Sequence, residues 1–238
     1  MKPNIIKQLM MSDPFERRIF LDQKMRWLRS CVYCSYFVPP VDGFCESCWE
    51  LFEVERNRSV DLKRSGYPFP VYSLLTWTDD REPLVRAVVD VQKMGRAPYF
   101  SRLLAQIFTV ERVALNPQPL HGLFIHPPSQ QNKWDHSAVL RENFLHFWKG
   151  FRRADCLERN SNVISHQQKD LSSFERSKLR FSLSQTPLPR NKGRIVFVDD
   201  IITTGSTAMA AYLAMGEPKD FEVWTLVHRP KLATLPRV

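Results

Sequence analysis

Ile195-Val196-Phe197-Val198-Asp199-Asp200-Ile201-Ile202-Thr203-Thr204-Gly205-Ser206-Thr207 is the stretch that decides how this chain reads. Its first four residues, all apolar and three of them β-branched, predict a short strand buried on both faces. Two adjacent carboxylates close that strand. Residues 203–207 are all small, four with hydroxyls and one a glycine, and a helical pattern starts at Ser206 or Thr207. A hydroxyl-rich turn that opens a helix offers backbone N–H groups, O–H donors and the positive end of a helix dipole. Together these hold a phosphate dianion. Gly205 allows the backbone to approach the anion or to take a positive φ. Asp199 and Asp200 are too close to that phosphate to be its ligands. They are placed to accept hydrogen bonds from sugar hydroxyls or to hold Mg²⁺ on the same ligand. A ribose 5-phosphate fits the layout, whereas the blander reading is a strand that ends in an ordinary capped turn.

Upstream, residues 71–77 read as a strand closed by Asp79-Asp80. Leu84, Val85, Val88, Val89 and Gln92 share one helical face that ends at Gly95, and Leu103, Leu104, Ile107 and Phe108 mark a second helix from near Pro98. Leu123-Phe124-Ile125 is a strand that stops at His126-Pro127-Pro128, followed by a helix over 136–147. Ser172 and Glu175 form a capping box for a short helix to about 181. The strand at 194–199 leads through the quoted loop into a helix over 206–215 that Gly216 ends, and 221–227 is the last strand. Strands alternating with helices in this way predict an α/β fold with a mostly parallel sheet covered on both faces. Ligands bind such sheets beyond the carboxyl ends of the strands, where Asp199 and Asp200 are expected.

Four cysteines form Cys31-x2-Cys34 and Cys45-x2-Cys48, with ten residues between the pairs. Each pair can make a knuckle that directs two thiolates at a tetrahedral Zn²⁺, and Pro39, Pro40, Asp42 and Gly43 supply the reversal between them. Four thiolates close the site, so it is structural and not catalytic. Cys156 stands alone and reads as a small buried apolar residue. The expected organisation is an extension over 1–30, a zinc-ribbon-like module over 31–56 with a short helix after its last knuckle, a linker over 57–70 and the main domain over 71–238.

Hydrophobic content of 43% and 25% charged residues belong to a globular protein with one core. The longest apolar run, 208–215, is far too short to span a bilayer, and residues 1–30 lack a signal-peptide core, so a cytoplasmic location is expected. The net charge of +9 is concentrated between Arg141 and Arg194, where twelve Lys or Arg face five Asp or Glu, a net of +7. That block suits a polyanion, although a solvated basic surface has the same composition.

The 195–207 stretch resembles the signature of type I phosphoribosyltransferases, which bind phosphoribosyl pyrophosphate (PRPP). The order of parts resembles the ComF family, in which a small four-cysteine zinc module precedes such a domain. The likeness runs from about Cys31 to the C-terminus. It is carried by the cysteine quartet, Val91-Gln92-Lys93-Met94-Gly95, the 123–128 strand end, Gln168-Lys169-Asp170-Leu171-Ser172 with Glu175-Arg176, and the signature. It implies a sheet of the phosphoribosyltransferase kind, structural zinc on Cys31, Cys34, Cys45 and Cys48, and PRPP with Mg²⁺ on Asp199, Asp200, Thr203, Thr204, Gly205, Ser206 and Thr207. Asp199 and Asp200 would also be the catalytic pair. Backbone groups from His126 to Ser129 would contact the pyrophosphate.

The family resemblance further implies a role in DNA uptake during natural transformation, with single-stranded DNA on the basic face and a helicase or other competence protein as partner. One stretch departs from the family pattern. Asn132-Lys133-Trp134-Asp135-His136 stands where the family carries Arg-Gly-Phe-Asn-Gln in a hood over the substrate. Closure of such a hood excludes water from glycosyl chemistry, so the resemblance implies binding here more strongly than turnover. The rival readings are a nucleobase-salvage phosphoribosyltransferase, which needs an intact hood, and a non-enzymatic PRPP sensor. His126 and His136, beside a proline turn and at a helix start, read as structural and not as acid–base groups.

Overall fold

A computed structural model describes residues 31, 33–34, 44–57, 67–77, 82–93, 98–115, 120–128, 135–159, 181–184 and 193–229. In chain order the elements are α1 (Glu46–Asn57), β1 (Val71–Thr76), α2 (Glu82–Lys93), α3 (Pro98–Leu115), β2 (Gly122–Ile125), α4 (His136–Phe147), β3 (Phe151–Arg153), β4 (Leu157–Arg159), β5 (Phe181–Leu183), β6 (Arg194–Ile202), α5 (Ser206–Ala214) and β7 (Phe221–His228). Five strands make one sheet in the order β1-β7-β6-β2-β3, and every neighbouring pair in it is parallel. β4 and β5 pair antiparallel as a separate ribbon. The expected α/β architecture with a mostly parallel sheet is therefore the one observed.

Alternation along β6 divides the core between the two faces of the sheet. Val196 and Val198 pack with α2, α3 and α4, while Ile195 and Phe197 pack with α5. A strand buried on both sides has to be apolar at every position, and 195–198 are. Trp224 of β7, fully buried, anchors the first face. Its ring centroid lies 5.3 Å from Phe108, 5.2 Å from Phe124, 5.4 Å from Phe144 and 5.1 Å from Trp148.

Two crossovers leave the middle of the sheet in opposite directions. From β2 the chain passes through α4 outward to β3, and from β6 it passes through α5 to β7 on the other side. The carboxyl ends of β2 and β6 thus flank the point where strand order reverses, which opens a crevice between the departing loops.

The structure differs from expectation in several elements. β6 continues to Ile202 and does not stop at the acidic pair. Ile201 and Ile202 pair with Val227 and His228, and β-branched side chains favour that extension. α1 begins at Glu46, so Cys48 lies in its first turn and does not precede the helix. α5 ends at Ala214, with Gly216 at φ 78° just beyond it. Three short strands, β3, β4 and β5, were not anticipated, and Phe181 begins a strand where a helix was expected to end. Tyr67 and Phe69, inside the stretch read as linker, pack in the core beneath α5. The Asp79-Asp80 closure, Gly95, the 172–175 capping box and the 1–30 extension lie outside the described residues.

Candidate functional site

Asp199 and Asp200 sit near the carboxyl end of β6, facing the start of α4. Ser137 Oγ donates to Asp199 Oδ1 at 2.8 Å, and His136 Nε2 lies 3.3 Å from Asp200 Oδ2. Both aspartates were expected to face solvent. Asp200 is instead buried at 4% exposure and Asp199 is half-buried, because β6 runs on past them and α4 starts directly above. Burial, reinforced by the like charge of Asp200, pushes the Asp199 carboxyl up to about 8 against the opposing pull of Ser137 and His136. The pair therefore resists carrying two negative charges at once. Two adjacent carboxylates that cannot both ionise are a donor set suited to a hard divalent cation, which takes one or two carboxylate oxygens and retains most of its waters. The residues fit Mg²⁺ on that ground.

Three residues beyond Asp200 the chain enters the turn that opens α5. Gly205 is the helix N-cap at φ 68°, with no side-chain hydrogen bond capping the helix, and its carbonyl accepts Met209 N at 2.7 Å. A positive φ there is the conformation foreseen for this glycine. Thr203, Thr204, Ser206 and Thr207 are all partly exposed around it. Thr204 Oγ1 and Ser206 Oγ are hydrogen-bonded at 2.7 Å, and Thr204 Oγ1 also accepts Ser206 N at 3.4 Å. The turn thus gathers hydroxyls and uncapped N–H groups at a helix N-terminus, an arrangement that receives an anion.

On the β2 side His126 is held in a polar cluster. Its Nδ1 lies 2.8 Å from Nη1 of the buried Arg141. Arginine only donates, so Nδ1 accepts and the ring proton sits on Nε2, 3.3 Å from Asp135 Oδ2. Arg141 also pairs with Asp155 and Glu142. Asp135 in turn caps α4, accepting Ala138 N at 2.8 Å. His126 is thus tied into this cluster on both ring nitrogens. His136, the other expected structural histidine, reaches the acidic pair. Of the stretch that replaces the hood motif, Asp135 and His136 form the start of α4, and 132–134 lie outside the described residues, as does Ser129.

Arg159, at the end of β4, was not singled out from sequence. Its Nη2 donates to Pro128 O at 3.4 Å, just past the carboxyl end of β2. Among the described residues no carboxylate pairs with it, its Nε is buried without a hydrogen bond, and burial lowers its pKa with nothing offsetting the desolvation. A half-buried guanidinium without a counter-charge is an anion receptor in waiting. Local sequence held no signal for it, since eleven other basic residues share its block.

The four cysteines converge as expected. Their sulfurs all lie within 4.8 Å of one another, Cys34 and Cys45 at 3.7 Å, and none of the five cysteines forms a disulfide. Zn–S bonds of about 2.3 Å at tetrahedral angles place sulfurs about 3.8 Å apart, so the quartet is already close to a metal-bound spacing. Burial raises the Cys31 thiol, but hydrogen bonds from the Cys34, Cys45 and Tyr33 backbone outweigh it and bring the group down to about 7. Burial and the neighbouring thiols push Cys48 up instead. Four thiols crowded this closely can bind a metal ion. Cys156 is buried, its Sγ 3.9 Å from Met215 Sδ, and behaves as the packing residue expected.

Six members of the basic block are described. Arg141, Arg153 and Arg194 are ion-paired with Asp or Glu, Arg159 lies beside Pro128, and Lys149 and Arg152 are exposed. The rest lie outside the described residues. Among the described residues no helix is long and apolar enough to cross a membrane.

No protein-family model matches the chain, and no curated protein matches its sequence. The solved structure of the AQ2163 protein from Aquifex aeolicus is similar over 68% of this chain and 88% of its own at 12% identity, with a TM-score of 0.36, a likeness too low to argue from.

Proposed function

We propose that this chain is a ComF-like cytoplasmic protein that binds PRPP with Mg²⁺ in the crevice between β2 and β6, binds single-stranded DNA through exposed basic residues, and acts in DNA uptake. One observation carries the reading. An acidic pair too close to ionise together and an uncapped helix N-terminus rimmed with hydroxyls stand on one strand end, at the point where strand order reverses. Thr203, Thr204, Gly205, Ser206 and Thr207 receive the 5-phosphate. Asp199 and Asp200 hold the ribose hydroxyls and Mg²⁺, which when bound neutralises charge on the pyrophosphate. Ser137 orients Asp199. Arg159 contacts the pyrophosphate beside Pro128. Where transfer occurs, the bond from the anomeric carbon to pyrophosphate breaks and one to a nucleophile forms through an oxocarbenium-like state. Zinc on Cys31, Cys34, Cys45 and Cys48 holds the N-terminal module, which offers a docking face to a helicase or another competence protein. Lys149 and Arg152 are the described candidates for phosphates of the single strand.

Calorimetric titration with PRPP, with and without Mg²⁺ and then with oligo-dT, tests this reading. Saturable Mg²⁺-dependent PRPP binding and oligo-dT binding that weakens as salt rises are expected. Absence of PRPP binding refutes the crevice. PRPP binding with no affinity for single strands supports the sensor instead, and pyrophosphate release with a common nucleobase supports the salvage enzyme. Arg159→Ala is expected to weaken PRPP about tenfold, the loss of one charge-assisted hydrogen bond, and to leave ribose 5-phosphate affinity unchanged. Equal weakening of both ligands refutes the pyrophosphate contact.

A further inference from the structure

We propose that Tyr67 is a positioning residue for the anion loop, its ring fixing the left-handed turn at Gly205 that aims the first N–H groups of α5 at a ligand. The proposal rests on the phosphate-binding reading of that loop. A Cβ built on Gly205 would stand 2.2 Å from Tyr67 Cε1 and 2.8 Å from Cζ, so the ring fills the space a side chain would take. The phenol donates to Thr203 O at 3.4 Å. One residue therefore touches the loop two positions before the cap and at the cap itself.

Tyr67 is in turn held in place. Its ring stacks on Phe69 with centroids 5.6 Å apart and planes 3° from parallel, and Phe69 abuts Tyr212 of α5 at 5.3 Å and Phe221 of β7 at 5.1 Å. Pro68 and Pro70 restrict the short segment, and Pro70 O accepts Val223 N at 3.0 Å. The segment 67–70 is thus a brace between β7 and the loop. Gly205 gives α5 no side-chain cap, and the local bonds across it run only between Thr204 and Ser206, so the Tyr67 ring is the contact from outside the loop that bears on Gly205 itself. Donors held in place before a ligand arrives bind it more tightly, because the ordering cost has been met in folding. A ring packed on the loop also keeps water from one flank of the anion, which strengthens its attraction to the helix end.

The test uses the full chain with Tyr67→Ala and Tyr67→Phe, ribose 5-phosphate as the probe, and amide exchange of Met209, whose N–H makes the first hydrogen bond of α5 to Gly205 O. Tyr67→Ala is expected to speed Met209 exchange about tenfold and to weaken ribose 5-phosphate about tenfold. Tyr67→Phe keeps the ring and stays within about threefold of the parent in both, since a 3.4 Å hydrogen bond contributes little. Val88→Ala, a destabilising change on the opposite face of the sheet, serves as the control and leaves both readouts alone. Parent-like affinity in Tyr67→Ala, or equal weakening in Val88→Ala, overturns the proposal. Unchanged Met209 exchange in Tyr67→Ala overturns it whether or not the ligand binds. If the parent chain fails to bind ribose 5-phosphate while Tyr67→Ala still loosens Met209, the phosphate reading falls and the brace stands.

Discussion

Serine in place of Cys45 is expected to strip the metal and unfold the N-terminal module. The reason lies in how little else holds it. Among the described residues there, Cys31, Phe44, Cys48 and Phe52 are buried and Trp49 packs on them, its ring 5.5 Å from Phe52. A short segment of this kind draws much of its folding free energy from its metal, and structural zinc contributes roughly 10 kcal/mol in such modules. Cys45 also stands at the head of α1, where its backbone carbonyl accepts Trp49 N at 2.8 Å, a bond that serine keeps, so the variant acts by removing the metal ligand and not by altering the helix start. The damage reaches the main domain where α1 packs on β1 and where Phe44 meets Phe100 of α3 edge-on at 5.5 Å. Metal analysis of the variant should find no bound zinc. Limited proteolysis should cut within 31–57 while amides of β6 and β7 stay protected from exchange. A metal-free protein with an intact, protease-resistant α1 would contradict the assignment.

Asp199→Asn is expected to stabilise the protein at alkaline pH and to abolish Mg²⁺-dependent PRPP binding. In the unfolded chain this carboxyl ionises near its ordinary value of 3.8, and in the folded chain only at about 8. The folded state therefore holds the proton more tightly. The stability this contributes is fully present below pH about 4 and is lost as pH rises through about 8. Asparagine imitates the protonated carboxyl in shape and charge, so it forgoes nothing in acid and escapes the repulsion from Asp200 in base. Thermal melts should coincide near pH 4 and separate by several degrees near pH 9, with the variant higher. Mg²⁺ should raise the melting temperature of the parent at pH 9 and leave the variant unmoved, because a ligand stabilises only the state that binds it. A gap independent of pH would mean that the pair is not strained by its own charge. Undiminished PRPP affinity in the variant would remove Asp199 from the site. Asp200→Asn is less informative, since that side chain is buried against His136 and its replacement disturbs packing as well as charge.

Local sequence determined the elements whose signal is periodic or punctuated. β2 and the first half of β6 are short apolar runs and β7 is mostly apolar, α4 was legible at about 136–147, and Gly205 allowed a positive φ that the chain adopts. The cysteine quartet was legible because metal-ligand spacing is a short-range property. Three-residue strands such as β3 and β4 were not legible, because so short a run has no period and forms only when a partner strand is present to pair with it.

The strand order lay beyond the sequence too, and with it the surroundings of every site residue. Asp199 and Asp200 could be recognised as a pair on a strand. Their burial under Ser137 and His136 came from α4 crossing above β6, with 62 positions separating Ser137 from Asp199 in the chain. Tyr67 and Arg159 looked like linker and surface, and only packing set one against Gly205 and left the other half-buried with no carboxylate beside it among the described residues. Residue type and spacing state what a side chain is able to do. Desolvation, neighbouring charge and contact between distant segments decide what it does, and those exist only once the chain has closed on itself.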